Sequence, residues 1–407
     1  MCQKENQNSN KTMKRLILLS ILNLALVSCQ KSEVVSPDDT TQTIYLDCVG
    51  SNCLEFIVPG DPYQSNPDFY GYADPSIRKS LNSKTLWVAY SFPHYKMIGS
   101  NPVPSVSIHL SKSEDNGTNW SFVKTLFAPD QMNNPADPGV TGFLDHETVN
   151  LLPVSDYWLA VRLNYFIPEI GGYSARPGNS FHITVLKADS PENLTTGDKG
   201  TIGGSLTHSG WNVNQTLIPP DLTSDAFFWN EPALYYDEAN SKLYLIMVAF
   251  VFYGPKPVMD KNKTYVYSTS PTGSPSTWNW EYKGILSDAS IASELGGERI
   301  SQPDIAKGQD GKFLLILSPD DWNYEKNDFN HKGCKVVEII SLENPSLERD
   351  SQGKLRVRVS ITASDANDLG SAASSYDPAS NTGILFTKRA KTDTSLTANI
   401  WKTGIKP

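Results

Sequence analysis

Short apolar runs separated by turn residues recur along the chain, and one arrangement of them is repeated five times. In each repeat a short strand-like segment leads through a turn rich in Asn, Asp, Gly and Ser to a more apolar strand-like segment, which is typical of a β-hairpin. A motif that recurs at nearly constant spacing predicts a repeat fold. The five repeats open with Asp74-Pro75-Ser76-Ile77, His146-Glu147-Thr148-Val149, Glu231-Pro232-Ala233-Leu234, Gln302-Pro303-Asp304-Ile305 and Ser371-Ala372-Ala373-Ser374.

The spacing of the repeats leaves room for four strands in each. Their openings are 72, 85, 71 and 69 residues apart, whereas a hairpin alone takes about twenty residues. Four strands in each of five repeats predict an all-β fold, a five-bladed β-propeller with four-stranded antiparallel blades. We expect residues 399–405 to complete the last blade and residues 54–58 to help close the ring. Six blades are the alternative, because residues 44–72 or 186–230 have room for another.

The amino-terminal segment has the pattern of an export signal. Lys14 and Arg15 precede a mostly apolar stretch at 16–27, which is too short to span a bilayer. The sequence that follows, Leu26-Val27-Ser28-Cys29, resembles a bacterial lipobox. This resemblance implies cleavage before Cys29 and acylation of that residue, although an ordinary cleaved signal is an alternative.

These patterns divide the chain into three parts. We expect a lipoprotein signal peptide at 1–28, a solvated tether at 29–43 and a single β-propeller domain at 44–407. The lipobox resemblance further implies a protein that is exported and lipid-anchored to the outer membrane, on its periplasmic face or on the cell surface.

Composition excludes several classes of protein. The 407 residues are 39% hydrophobic and 19% charged, which is too apolar for a disordered chain and too polar for a multi-span membrane protein. The formal charge of −9 comes without a basic run, so we expect no nucleic-acid partner. Five cysteines are too few for a disulfide-built scaffold, although Cys48 and Cys53 are spaced for a small disulfide loop or remain two free thiols.

Two motifs resemble those of known propeller families. Residues 113–120, Ser-Glu-Asp-Asn-Gly-Thr-Asn-Trp, resemble the Asp-box of sialidases, a turn between outer strands that lies away from the active site. The segment Asp74-Pro75-Ser76-Ile77 resembles the first-blade motif of five-bladed glycoside hydrolases of the family 43 and family 32 types. In those families the Asp is the general base or the nucleophile. The resemblance implies a glycoside hydrolase that acts on a glycan at the mouth of the propeller channel.

The first positions of the repeats supply the candidate catalytic groups, because equivalent strand ends of a propeller meet at one channel mouth. Glycoside hydrolysis usually needs one ionised and one protonated carboxyl group. We assign Asp74 as the base and Glu231 as the general acid or the group that tunes it. Family 43 carries its acid Glu on the fourth blade, where this chain has Gln302. The acid is therefore alternatively Glu298, Asp320 or Glu147.

Polar and aromatic residues near the same strand ends are the candidates for substrate binding. Aromatic faces stack on sugar rings while polar groups hydrogen-bond the hydroxyls. Packing roles compete with this interpretation, above all for the histidine at 146 and the tryptophan at 322. No Cys/His cluster has zinc spacing; we expect no cofactor, and the family resemblance leaves room for a structural divalent cation in the channel. The candidates are His94, His146, Arg162, Tyr253, Gln302, Trp322 and Arg389.

The sequence thus predicts a glycoside hydrolase and leaves two rivals open. A non-catalytic glycan-binding or adhesion lipoprotein is favoured by the missing fourth-blade Glu. A sialidase-like hydrolase would need three arginines, for which Arg162, Arg299 and Arg389 are available, but an Arg-Ile-Pro start motif is missing. In each case the expected partners are a glycan and, through the lipid anchor, a membrane, and the protein is expected to be a monomer.

Overall fold

Strands make up most of the part of the chain that the computed structural model describes, which is residues 42–62, 69–169, 181–207, 210–253, 256–325, 328–365, 368–391 and 396–407. The predicted signal peptide, Cys29 and all but the last two residues of the predicted tether lie outside these ranges, so the lipid anchor stays a prediction. None of the described helices has both the length and the apolar character needed to cross a membrane.

The predicted all-β class is confirmed. Within the described ranges the α-helical structure is one short segment, α1 (Ala289–Glu294), and single turns of 3-10 helix lie at Gly50–Asn52, Pro191–Asn193, Met259–Lys261 and Pro275–Thr277. The strands are β1 (Ile44–Asp47), β2 (Leu54–Glu55), β3 (Phe69–Gly71), β4 (Ala73–Lys79), β5 (Leu86–Ile98), β6 (Asn101–Ser113), β7 (Ser121–Phe127), β8 (Asp130–Asn134), β9 (Asp137–Val154), β10 (Tyr157–Pro168), β11 (Phe181–Ala188), β12 (Asp198–Gly203), β13 (Gln215–Thr216), β14 (Phe227–Asp237), β15 (Lys242–Tyr253), β16 (Lys256–Pro257), β17 (Thr264–Thr269), β18 (Glu281–Ser287), β19 (Arg299–Lys307), β20 (Phe313–Asn323), β21 (Asp328–His331), β22 (Cys334–Ser341), β23 (Ser346–Leu347), β24 (Val357–Thr362), β25 (Asp368–Ser375), β26 (Leu385–Lys391) and β27 (Leu396–Lys402).

Hydrogen bonding joins these strands into five separate sheets. The first is β4-β5-β6-β7, and the second is β13-β12-β11-β10-β9-β8. The third is β14-β15-β17-β18, with β16 beside β15. The fourth is β1-β24-β22-β20-β19, with β21 beside β20 and β23 beside β22. The fifth is β2-β27-β26-β25, with β3 beside β27.

The blade count corrects the prediction. Four blades, rather than the five or six predicted, have at least four full-length antiparallel strands hydrogen-bonded side by side. The fifth sheet has only β25, β26 and β27 in such a run, and its outer edge is shared by the short strands β2 and β3. The carboxy-terminal strand therefore needs the amino-terminal segment to cover it, as the sequence predicted for residues 54–58.

The five sheets surround a common axis in a β-propeller arrangement. The strand of each sheet that lies nearest the axis is called its inner strand. The five inner strands, β4, β9, β14, β19 and β25, contact one another in ring order. Hydrophobic clusters fill the spaces between consecutive sheets, so burial of apolar surface holds the ring together. Pairs of residues from these clusters are Leu110 with Leu151, Leu163 with Trp229, Ile246 with Ile305, Leu314 with Phe386, and Ile77 with Leu385.

A β-bulge within each inner strand sets the register of the repeat. The bulged residues Asp74, Thr148, Glu231, Gln302 and Ala373 have φ values of 49°, 50°, 49°, 50° and 47°. This left-handed backbone is rare for non-glycine residues and costs of order 1–3 kcal/mol each, and a bulge re-aims its side chain. The sequence pattern placed His146 and Ser371 at this position, but both lie two residues before the residue that occupies it.

The amino-terminal segment ties the fourth and fifth sheets together. Strand β1 pairs in parallel with β24 of the fourth sheet, while β2 and β3 pair with β27 of the fifth. A disulfide joins Cys48 to Cys53 between these contacts. Cys334 is free and buried. The structure thus selects the disulfide loop from the two states that the sequence left open for the first two cysteines.

A buried ion pair crosses the axis between the first and fourth sheets. The guanidinium of Arg78 contacts both carboxylate oxygens of Asp304 and donates to the Ile305 carbonyl at 3.0 Å. Asn150 Nδ2 and Ser375 Oγ donate to the same carboxylate at 2.8 and 2.6 Å. Four of the five inner strands are therefore joined through one carboxylate.

We predict that Arg78→Met lowers the free energy of unfolding by about 3–5 kcal/mol, because it leaves the Asp304 carboxylate buried without its counter-ion. Denaturant unfolding followed by tryptophan fluorescence measures this loss. Lys84→Met, in the turn before β5, is the control and should change stability little. A loss below about 1 kcal/mol in the Arg78 variant, as for a surface ion pair, would contradict the role given to the pair.

Candidate active site

Three carboxyl groups from three consecutive sheets meet at one end of the axis. Asp74 and Glu231 are bulged residues of the first and third sheets, and Glu147 immediately precedes the bulged Thr148 of the second. The charges of Asp74 and Glu231 both raise the pKa of Glu147, and the charge of Asp74 raises that of Glu231. The sequence-predicted pair is therefore brought together, and one of the three alternative acids joins it.

Asp74 has partners that favour its ionised form. Burial raises the pKa of Asp74, but a hydrogen bond from Ser91 and the positive charges of Arg389 and His331 oppose this rise. Gln302 Nε2 also donates to Asp74 Oδ1 at 3.3 Å. The carboxylate of Asp74 is thus held by donors from neighbouring sheets, as a group that works in its charged state requires.

Glu147 also has a raised pKa. Burial and the negative charge of Asp74 raise the pKa of Glu147 to about 8, and a hydrogen bond from Tyr165 and the charge of Arg389 only partly offset them. Glu147 is half-buried, whereas Glu231 is almost fully buried, with 7% of its surface exposed. Of the two glutamates, Glu147 is therefore the more exposed and has the more strongly raised pKa.

Glu231 is fixed in place by its surroundings. Its Oε2 accepts the backbone N–H of Gln302 at 2.9 Å, and its Oε1 lies 4.0 Å from Arg299 Nη2. Burial raises the pKa of Glu231 to about 7 despite the charge of Arg299. Both oxygens of this carboxyl group face protein groups, so Glu231 is placed to shift the pKa of the neighbouring carboxyl groups.

A chain of charged groups supports the site from the fourth and fifth sheets. Arg299 Nη2 donates to Asp320 Oδ2 at 2.9 Å, and His331 Nδ1 lies 2.5 Å from Asp320 Oδ1. Arg389 Nη1 lies 2.6 Å from His331 Nε2. Burial opposes ionisation of Asp320, but His331 and Arg299 outweigh it and hold its pKa below the ordinary value. Asp320, another alternative acid, is therefore ionised and cannot donate a proton.

Aromatic rings position Arg299 within this chain. Its guanidinium lies 4.1 Å from the ring centre of Phe250 and 3.7 Å from that of Phe329. Arg299 is 1% exposed, so its charge reaches Glu231 with little screening by solvent. The aromatic contacts keep the planar guanidinium in one orientation.

A small axial cavity lies behind the carboxyl groups. It has a volume of about 30 Å³, and its lining includes Asp74, Gln302, Asn150 and Asp304. This space is enough for one or two water molecules but not for a sugar ring. The axial cavity itself is therefore too small to hold a sugar ring.

Three of the predicted substrate-binding residues lie elsewhere in the first two sheets. His94 Nδ1 contacts the Phe92 carbonyl at 3.0 Å, and burial lowers its pKa to about 4. His146 Nδ1 contacts Asn164 Oδ1 at 3.0 Å, and Arg162 lies 3.8 Å from the ring centre of Phe127. The structure gives these three side chains packing and hydrogen-bonding partners outside the carboxyl cluster.

The other predicted residues lie at or beside the site. Gln302 and Arg389 contact the carboxyl cluster and its support, as described above. Trp322 packs on Phe329 at 4.8 Å between ring centres, and its backbone N–H donates to Glu298 Oε2 at 3.1 Å. Tyr253 is 86% exposed and, with Glu298, lines a separate groove.

The sequence interpretation did not include His331 and gave Glu147 only as an alternative acid. His331 lies on β21, which folds back on β20 and pairs with Asp320. The short segment 328–331 has no alternating pattern that would have marked it as a strand. The second repeat was aligned two residues too early, with His146 at its first position. Aligning the repeats on their apolar fourth residue (Ile77, Leu151, Leu234 and Ile305) would have put Thr148 at that position and Glu147 directly before it.

A structural cation in the channel stays untested. Among the described residues no group of three or more His, Cys, Asp or Glu side chains is arranged to hold a metal ion. The Arg78 guanidinium, rather than a set of oxygen ligands, contacts the axial carboxylate of Asp304.

Similar folds are found among solved structures of glycoside hydrolases. An arabinanase from Bacillus subtilis is 13% identical with a TM-score of 0.45, covering 82% of this chain and 96% of that one. A family 117 glycoside hydrolase produced by Zobellia galactanivorans is 13% identical with a TM-score of 0.45, covering 86% and 88%. An α-L-arabinofuranosidase from Podospora anserina is 12% identical with a TM-score of 0.42, covering 88% and 96%. No protein-family model and no curated protein sequence matches the chain.

Proposed function

We propose that this protein is a glycoside hydrolase whose active site lies where its five sheets surround the propeller axis. The observation that carries the proposal is the meeting of the Asp74 and Glu147 carboxyl groups, of which Asp74 accepts hydrogen bonds from Ser91 and Gln302 and Glu147 has a pKa raised to about 8. Pairs of carboxyl groups with separated pKa values are the usual means of glycosidic bond cleavage.

Each carboxyl group has a role that follows from its surroundings. Asp74 takes a proton from the water molecule that attacks the anomeric carbon. The bond from that carbon to the glycosidic oxygen breaks, and Glu147 gives its proton to the departing oxygen. Glu231 raises the pKa of Glu147 and so keeps that proton in place.

The supporting residues orient these groups. Gln302 links Asp74 to Glu231 through its side chain and backbone, so the base and the tuning group move together. Arg389 lowers the pKa values of both Asp74 and Glu147. Its position is set by His331, which Asp320 orients in turn.

Sugar release from a panel of polysaccharides tests the proposal. Purified protein is incubated with arabinan, xylan, agarose and polygalacturonate, and new reducing ends are measured. We expect turnover of a glycan by the wild-type protein. Binding to a glycan without release of sugar would instead support the adhesion lipoprotein that the sequence left open.

A further inference from the structure

A groove beside the candidate active site is not used by the proposed chemistry. It has a volume of about 470 Å³ and runs between Tyr253 and Lys256 of the third sheet and Glu298 and Tyr324 of the fourth. This volume lies within the roughly 300–1,000 Å³ range of small-molecule sites. The groove is thus large enough for sugar rings, unlike the axial cavity.

Two hairpins that extend beyond the sheets form the walls of the groove. On one side β16 folds back on β15, pairing Tyr253 with Lys256. On the other side β21 folds back on β20, and Tyr324 follows the end of β20. Lys256 Nζ lies 5.7 Å from the ring centre of Tyr324, so the two walls touch at this point.

The groove lies beside residues that support the carboxyl cluster. Glu298 is adjacent in sequence to Arg299, whose Nη2 lies 4.0 Å from Glu231. Strands β20 and β21 carry Asp320 and His331, which support Arg389. The wall of the groove and the support of the carboxyl cluster are thus built on the same segments of the fourth sheet.

The groove surface has the chemistry that recognises sugars. Tyr253 and Tyr324 are 86% and 68% exposed, which is a large exposed aromatic area for one groove. Their rings offer apolar faces and hydroxyl groups, while Lys256, Asp260 and Glu298 offer donors and acceptors. Two aromatic faces with interleaved polar groups match the alternating apolar faces and hydroxyl rims of linked sugars.

We propose that this groove binds further sugar units of a polymeric glycan, so that the substrate is an oligosaccharide or polysaccharide rather than a terminal monosaccharide glycoside. The inference rests on the proposed function, because it takes the bond to be cleaved at Asp74 and Glu147. The groove itself contributes binding of sugar units, and this binding can be measured without turnover.

Calorimetry with Asp74→Asn protein, in which turnover is blocked, tests the groove directly. The probes are arabinan, xylan, agarose, polygalacturonate and their short oligosaccharides. With the probe that binds most tightly, we expect Tyr253→Ala and Tyr324→Ala each to raise Kd about tenfold, a change of 1.4 kcal/mol. Tyr45→Ala is the matched control, since Tyr45 is 78% exposed on the distant edge strand β1, and it should leave Kd unchanged.

The same tyrosine variants with Asp74 intact separate the groove from the chemistry. We expect kcat/KM for the polysaccharide to fall more than kcat/KM for its aryl monosaccharide glycoside, since the small substrate has no sugar units for the groove to bind. Equal Kd values for all three tyrosine variants, or no probe binding at all, would overturn the inference. Groove-dependent binding with no turnover of any probe would instead refute the proposed function and leave the groove as a glycan-binding site.

Discussion

Asp74→Asn should reduce kcat/KM for the preferred glycan by about 10³-fold, within the 10²–10⁴ range that general base catalysis contributes. The substitution keeps the shape of the side chain but removes the charge that draws a proton from water. Rates of reducing-end release at matched protein concentration measure the effect. Stability should not fall, because burial raises the pKa of Asp74 and thus disfavours its charged form in the folded protein.

The stability readout separates a catalytic role from a structural one. If Asp74 only capped its turn, Asp74→Asn would lower Tm and leave activity in the folded fraction intact. Glu114→Gln is the control, since that carboxylate is 63% exposed in the turn after β6, and it should change neither quantity. A wild-type rate in the Asp74→Asn variant would remove the residue from the mechanism.

The sequence predicted the propeller because the fold is built from local signals. Each inner hairpin joins strands that are adjacent in sequence, so alternating apolar residues and turn residues indicate them directly. The closure of the ring was harder to predict, because β1, β2 and β3 pair with strands about 300 residues away. The disulfide of Cys48 and Cys53 is part of that long-range closure, and spacing alone left it open.

The site was less predictable because a bulge changes the side-chain phase by one residue. The proline after Asp74, Glu231 and Gln302 marks three of the bulges, and these three residues were aligned correctly. Thr148 and Ala373 precede Val149 and Ser374, so their bulges have no proline to mark them. His146 was consequently placed at the channel mouth, and Glu147 was considered only as an alternative acid.

The bulges also connect strain with function. Three residues of the candidate site, Asp74, Glu231 and Gln302, have the left-handed backbone that costs about 1–3 kcal/mol each. The hydrogen bonds and apolar clusters of the ring must offset this cost. Backbone strain of this kind is common where side chains are held for chemistry, and here it directs groups from separate sheets to the axis.

Glu147→Gln should lower kcat/KM for natural glycosides by about 10²–10⁴-fold, because the departing sugar oxygen then has no proton donor. Aryl glycosides with acidic phenols as leaving groups need little protonation and should lose far less activity. A comparison of the two substrate classes on the same variant measures this difference. If Glu231 were the proton donor instead, the selective loss would appear in Glu231→Gln.

The pH profile distinguishes the two glutamates further. A general acid works only while protonated, so wild-type kcat/KM should fall as pH rises through the pKa of Glu147, about 8. Removing the negative charge at 231 with Glu231→Gln lowers the pKa of Glu147, and the alkaline limb should move to lower pH while activity below it persists. With aryl glycosides as substrates, Glu147→Gln should abolish the alkaline limb. An alkaline limb that stays in place in Glu231→Gln, or survives in Glu147→Gln, would show that another group donates the proton.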